Sequence, residues 1–375
     1  MRSSFASRSG LFLSFIFLFA ALPPPTPAQT GNPLTGDLGV HDPMLLKAGS
    51  TYYLFHTGNG VSMKTSQDRI AWRNAGKALA TPPLWHAETV PGSGAGLWAP
   101  DAHFRDGRFW LYYAVSTFGA RVSAIGLATA RELNASSGAT AWTDQGLVWK
   151  SSNATDYNAI DPNAFIDEAD EADQDGSTWL TFGSFWSGIK LIRLDRATGK
   201  PAPGAVTLAL ASHPSGIEAP FLFRHGPWYF LFVSFDLCCK GAASTYNIRV
   251  GRAAKVTGPY LDSQGKPMLN GGGDLIDAGD TRWKGPGHNA IFTDHDTTFL
   301  VNHAYDAQNN GASTLWIRTL YWTPAGWPTL DPSKGTAVAL ASRPHAQVRH
   351  PRARYRNLLG RSFNGTGLPI PIDPP

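Results

Sequence analysis

The sequence predicts an all-β fold, a five-bladed β-propeller, and three observations carry that expectation. Charged residues make up only 16% of the 375 residues, whereas 39 Gly, 28 Pro and 13 Trp are plentiful. Such a composition suits short strands joined by turns and argues against coiled coils, helical bundles and acidic disordered chains. Five aromatic or apolar runs recur: Thr51-Tyr-Tyr-Leu-Phe-His56, Phe109-Trp-Leu-Tyr-Tyr-Ala114, Trp179-Leu-Thr-Phe182, Trp228-Tyr-Phe-Leu-Phe-Val233 and Thr298-Phe-Leu-Val-Asn302. They are rich in β-favouring residues and too short for helices. Each run also has similar flanks. A short apolar strand precedes it, often with a turn such as Lys47-Ala-Gly-Ser50, Arg105-Asp-Gly-Arg108 or Arg224-His-Gly-Pro227 between them.

A third strand follows every run: Gly60-Val-Ser-Met-Lys64, Ala124-Ile-Gly-Leu-Ala128, Ile189-Lys-Leu-Ile-Arg193, Asn247-Ile-Arg-Val-Gly251 and Leu315-Trp-Ile-Arg-Thr319. Strand, hairpin, strand and a looser fourth strand make a propeller blade, and repetition at a fixed period is the signature of such folds. A two-layer sandwich would not account for five copies of one pattern. The propeller is assigned to residues 29–330 as a single domain.

Ahead of it, residues 1–28 read as a secretory signal peptide. Arg2 and Arg8 are its basic start, Leu11 to Leu22 its apolar stretch, and Thr26-Pro-Ala28 its small-residue cleavage point. That stretch is too short to span a bilayer, so a secreted, extracellular protein is expected and a membrane protein is not. Behind the propeller, residues 331–375 read as a basic, Pro-rich, flexible tail. The two cysteines, Cys238 and Cys239, are adjacent. Ring closure between neighbours is strained, so two buried thiols are expected rather than a disulfide. Asn134, Asn153 and Asn364 head Asn-x-Ser/Thr sequons, which a eukaryotic host could glycosylate.

One polar position recurs where each blade opens its first strand. It is read as Asp42, Asp101, Asp161, Glu218 and His288. First strands line a propeller's central channel, so residues far apart in sequence are expected to meet in one cup. Packing does not call for four acids there, because crowded charges repel and lose water. Glycoside hydrolysis does: one carboxyl must be raised in pKa as acid and another kept ionised as base. His288 suits either a metal site or a hydrogen bond to a carboxylate.

The motifs that carry these residues resemble those of the endo-acting arabinanases of glycoside hydrolase family 43. They are Val40-His-Asp-Pro43, Leu97-Trp-Ala-Pro-Asp-Ala102, Val115-Ser-Thr-Phe-Gly119, Asn158-Ala-Ile-Asp-Pro-Asn163, Gly183-Ser-Phe-Trp-Ser-Gly-Ile189, Gly216-Ile-Glu-Ala-Pro-Phe221, Phe232 to Gly241 and Gly285-Pro-Gly-His288. The resemblance spans residues 33–328. It implies a five-bladed propeller that hydrolyses α-1,5-linked L-arabinofuranosyl chains, the side chains of pectin, with inversion. Asp42 is implied as general base, Glu218 as general acid, and Asp161 as the carboxylate that raises the acid's pKa and holds it in place. His288 is similar to the histidine that helps to hold a calcium-centred, water-rich cluster in the propeller axis. Trp98 and Phe118 match positions that stack on sugar rings, and Asn158 and Ser184 positions that bind substrate hydroxyls. Asp101 is assigned to orientation or structure, not to direct chemistry. No organic cofactor is expected, and the chain is expected to act as a monomer.

Two rival readings are an exo-acting arabinofuranosidase or β-xylosidase of the same family, and a non-catalytic carbohydrate-binding propeller. The formal net charge of +4 invites a nucleic-acid reading, but its location removes it. Arg2 and Arg8 lie in the signal and the tail holds a net +5, so residues 29–330 carry −3. The basic tail is a candidate for clinging to acidic pectin.

Overall fold

The computed structural model describes residues 32–133, 142–167 and 176–337, and within them the five repeats are five sheets, antiparallel except where the edge strand Thr35–Gly36 pairs parallel with Ala71–Lys77. Their second strands are Thr51–His56, Arg108–Val115, Ser177–Phe182, Trp228–Phe235 and Thr297–Asp306, which contain the five apolar runs. Turn chemistry sets the hairpins. At Arg105–Arg108, Asp106 (φ 50°) and Gly107 (φ 77°) are both left-handed, the two-residue turn whose twist matches that of paired strands.

The core lies between blades. Leu111, Tyr113 and Val115 of blade 2 pack with Tyr53, Phe55 and Met63 of blade 1, and Leu191 of blade 3 with Leu231 and Val233 of blade 4. Side-chain bonds tie neighbouring blades at the edge of these layers. Tyr229 donates to Asp167 at 2.6 Å, and Asp294 accepts from Lys47 at 2.7 Å and from Tyr52 at 2.5 Å. The ring closes through the N-terminal segment: Leu315 donates to the Leu38 carbonyl at 2.9 Å, and Val40 to that of Ser313 at 3.4 Å. Blade 5 is thereby stitched to the chain that enters blade 1.

The first strands reveal the register of the repeat, and it differs from the one expected. In each blade one residue in or just before the opening half of the first strand is left-handed: Asp42 (φ 55°), Ala99 (44°), Asp161 (57°), Ala219 (54°) and His288 (49°). Proline follows the first four, and Asn289 the fifth. Ala99 and Ala219 therefore occupy the positions assigned to Asp101 and Glu218, which lie two residues after and one before their kinks. In blades 2, 4 and 5 the kink is a one-residue bulge, because Trp98 to Asp101, Glu218 to Phe221 and Gly287 to Ala290 each face a partner segment one residue shorter.

Two further expectations change. Cys238 and Cys239 form a disulfide with each other, and both are at least partly exposed rather than buried. The loop allows it: Asp236, Cys239 and Gly241 are all left-handed, which turns the chain tightly enough for adjacent sulfurs to meet. The first residues of the expected tail belong to the propeller, since Thr336 and Trp322 exchange backbone bonds of 2.8 and 3.0 Å. Residues 1–28, the sequon asparagines Asn134 and Asn364, and the tail beyond residue 337 lie outside the described residues; Asn153 is on an exposed turn. Among the described residues no helix is long and apolar enough to cross a membrane. A thiol reagent added to denatured, unreduced protein is expected to find no free thiol, and two per chain after reduction. Two reactive thiols before reduction would contradict the disulfide.

Candidate active site

A left-handed kink leaves its own amide outside the strand ladder, and a side chain of the preceding blade takes up that amide in four of the five cases. Thr57 Oγ1 accepts from Ala99 N at 2.8 Å, Asp161 Oδ2 from Ala219 N at 3.0 Å, Ser234 Oγ from His288 N at 2.9 Å, and His303 Nδ1 from Asp42 N at 3.2 Å. A second tier lies two residues further along. Asp101 accepts from Asn163 Nδ2 and Ala164 N at 3.1 and 2.9 Å, and Asn163 in turn accepts from Leu222 N at 2.8 Å. Asp101 is thus a buried bridge between blades, with burial pushing its carboxyl up to about 6.

The kinks bring Asp42, Asp161, His288 and the neighbouring Glu218 into one electrostatic cluster. Asp42 Oδ1 lies 3.1 Å from His288 Nδ1, and its Oδ2 accepts from Thr57 Oγ1. Burial alone would raise the Asp42 carboxyl, but the charge and hydrogen bond of the His288 imidazolium hold it well below the usual carboxylate range. Burial would likewise lower His288, and the carboxylates of Asp42, Asp161 and Glu218 outweigh it, raising the imidazole to about 9. His303 is fully buried and stays neutral, as its acceptor role toward the Asp42 amide requires.

Glu218 is the opposite case. It is buried, Oε2 accepts from Ser184 Oγ at 2.6 Å, and Oε1 accepts from Tyr246. These are neutral donors, and although they and His288 pull the carboxyl down, burial keeps it raised. Asp161 is lifted to about 8, by burial first and then by Glu218 and Asp42. The expectation that repulsion from Asp161 raises the Glu218 carboxyl is thereby modified: burial is the first cause of that rise.

Of the remaining expected residues, Ser184 bonds this cluster directly. Trp98 is partly exposed and directly precedes the Ala99 kink, as Glu218 precedes Ala219. Phe118 is 83% exposed on the loop between the second and third strands of blade 2. Ser184 is buried and engaged by Glu218, so its hydroxyl serves the acid before any substrate. Asn158 is buried with Oδ1 unpartnered. Sequence reasoning missed Trp186, which is 46% exposed on the corresponding loop of blade 3, with the Arg121 guanidinium 5.7 Å from its ring. Phe185 (φ 53°) and Trp186 (φ 45°) are consecutive left-handed residues, and nothing in their composition announces that.

A propeller mouth in which one carboxyl is held low and another high has the acid–base asymmetry of a glycosidase. The chain belongs to Glycosyl hydrolases family 43, which it matches over residues 31–328. It is 44% identical over 295 residues to the extracellular endo-α-(1→5)-L-arabinanase 1 of Bacillus subtilis, covering 77% of this chain and 87% of that one. It is 42% identical over 305 residues to the extracellular exo-α-(1→5)-L-arabinofuranosidase of Cellvibrio japonicus, covering 78% and 86%. The α-L-arabinanase of Cellvibrio cellulosa, solved with arabinohexaose, superposes with a TM-score of 0.75 at 39% identity, covering 81% of this chain and 99% of that one.

The raised Asp161 carboxyl fixes a sign for stability against pH. Its folded value of about 8 lies above the ordinary 3.8, so the folded protein binds the extra proton. The stability this contributes is complete below about pH 4 and is lost as pH rises through 8. His288 acts in the same direction up to about pH 9, whereas the depressed Asp42 acts below pH 4. The melting temperature of Asp161→Asn is expected to decline less with pH between 5 and 8 than that of the wild type, while His56, His225 and His303, held neutral by burial, act the opposite way in both proteins. An equally steep slope in the variant would contradict the assignment.

Proposed function

We propose that the protein is a secreted endo-1,5-α-L-arabinanase that cleaves arabinan with inversion. The observation that carries this reading is the split between Asp42, whose carboxyl is held low, and the buried Glu218, whose carboxyl is raised, in a chain so similar to arabinanases. Glu218 donates its proton to the leaving glycosidic oxygen as the bond to the anomeric carbon breaks. A water attacks that carbon from the opposite face, and Asp42 takes its proton. Asp161 holds the Ala219 amide, which fixes the backbone beside Glu218. Trp98, Phe118 and Trp186 offer aromatic faces to sugar C–H groups, and the unpartnered Asn158 Oδ1 can accept from a sugar hydroxyl. The extracellular relatives and the basic, apolar N-terminus support secretion.

Similarity to the exo-acting Cellvibrio relative favours a second reading, release of single sugars from chain ends. Early products from debranched linear arabinan separate the two. Oligomers of several lengths are expected first; arabinose alone would establish exo action. Asp42→Ala should reduce release by about a thousandfold or more, and release at the wild-type rate would remove Asp42 from the chemistry.

Calcium is proposed for the axis, with His288 as its protein ligand. His288 Nδ1 faces Asp42, which leaves Nε2 for a metal, an arrangement in which a carboxylate orients a ligating imidazole. The adjacent Asn289 is buried with both Oδ1 and Nδ2 unpartnered, so the chain beside His288 has polar groups to satisfy. Among the described residues the group spaced to hold a metal is His41, Asp42 and His303, so a calcium ion at His288 would keep most of its water. A ligating Nε2 must be unprotonated, so a bound ion would replace the His288 proton as the positive charge near the carboxylates. A chelator is expected to lower the melting temperature by several degrees and added calcium to restore it; an unchanged melting temperature would refute the site.

A further inference from the structure

We propose that Thr57 is a positioning residue for the hydrolysis, setting the Asp42 carboxylate and the Trp98 platform with one hydroxyl. The proposal rests on the reading of Asp42 as the base. Thr57 Oγ1 has two partners: it accepts from Ala99 N at 2.8 Å, and it bonds Asp42 Oδ2. The first partner determines the direction of the second. A backbone amide can only donate, so the Ala99 bond uses a lone pair of the hydroxyl and leaves its proton for the carboxylate. Thr57 thus delivers a fixed donor to one oxygen of Asp42, while His288 Nδ1 stands 3.1 Å from the other. With a partner on each oxygen the carboxylate cannot turn about its χ2 axis without breaking one of them.

The threonine is itself held. Its amide donates to the His41 carbonyl at 3.0 Å, so the segments on either side of Asp42 and of Thr57 are tied. Across the blade boundary, the Ala99 amide it satisfies belongs to the left-handed residue directly after Trp98. Unlike Ser234 and His303, which cap the His288 and Asp42 kinks, Thr57 also joins a site carboxylate to the backbone that presents an aromatic ring. A sugar resting on Trp98 and a water resting on Asp42 are therefore positioned from the same atom, and proximity of that kind is sensitive to small displacements.

The test compares Thr57→Val, which keeps the shape and removes the hydroxyl, with Thr57→Ser, which keeps the hydroxyl. Thr57→Val is expected to lower kcat on linear arabinan about 10–100-fold, and Thr57→Ser to stay within about threefold of wild type. In an Asp42→Ala background only the Trp98 part of the effect remains, so adding Thr57→Val should lower residual turnover of an activated aryl arabinoside by clearly less than it lowers kcat in the wild type. A Thr57→Val kcat within twofold of wild type would overturn the proposal. So would a full loss that recurs without Asp42, because Thr57 would then be acting elsewhere. Near-normal activity in Asp42→Ala alone would instead overturn the base reading, whatever Thr57 does. If Thr57→Val does not fold, Thr57→Ala carries the same comparison, with circular dichroism verifying the fold.

Discussion

Each first strand of this propeller carries a left-handed residue in or just before its opening half, and the site is built on that repeated kink. For alanine or histidine the conformation costs about 1–3 kcal/mol, and it also takes an amide out of the ladder. An uncapped amide inside the channel would cost a further 1–3 kcal/mol. The caps from Thr57, Asp161, Ser234 and His303 remove that second penalty, and each one crosses a blade boundary. The strain is therefore sustained by a neighbour, and blades cannot slide past one another without exposing it. Packing between apolar faces is tolerant of small shifts, whereas these bonds specify position to within a few tenths of an ångström.

The same kinks explain how acids so close together take different protonation states. Asp42 meets a cation at 3.1 Å, and Glu218 meets two hydroxyls. Both carboxyls lose water on burial, but only a charge in contact repays that loss, because neutral donors stabilise a carboxylate less than an imidazolium does. His288 is the cation that can do this. His303, fully buried and committed as an acceptor to the Asp42 amide, must be neutral. One positive group among three acids leaves an excess of negative charge, which adds to burial in raising the Asp161 and Glu218 carboxyls.

How much of this the sequence disclosed can be judged residue by residue. The five apolar runs located every second strand, because burial on both faces leaves an unbroken β-favouring run. The cluster Asp42, Asp161, Glu218 and His288 was also legible, since charged residues at repeat positions stand out. Its register was not. Attention to charge selected Asp101 and Glu218, while the feature that recurs is a left-handed residue, in four blades followed by proline: 42–43, 99–100, 161–162 and 219–220. Alanine at two of these positions carries no chemical signal, so the Pro spacing was the clue available. Burial of Ser184 against Glu218, exposure of Trp186 and the Cys238–Cys239 bond depend on loop conformations that residue types do not specify.

The exposed aromatics suggest where this fold separates chemistry from chain handling. Asp42, Asp161, Glu218 and His288 are held by strand ends and by side chains of adjacent blades, so altering them means altering the propeller itself. Phe118 and Trp186 stand on loops between second and third strands and bear on little else. A family can vary such loops freely while keeping the acid–base cluster intact. The near-equal identity of this chain to an endo-acting and an exo-acting relative fits that division. Overall similarity is dominated by the blades, which both modes of action need. Whether a polymer lies across the mouth or enters it end-on depends on which loop obstructs the groove, a property that whole-chain identity averages away.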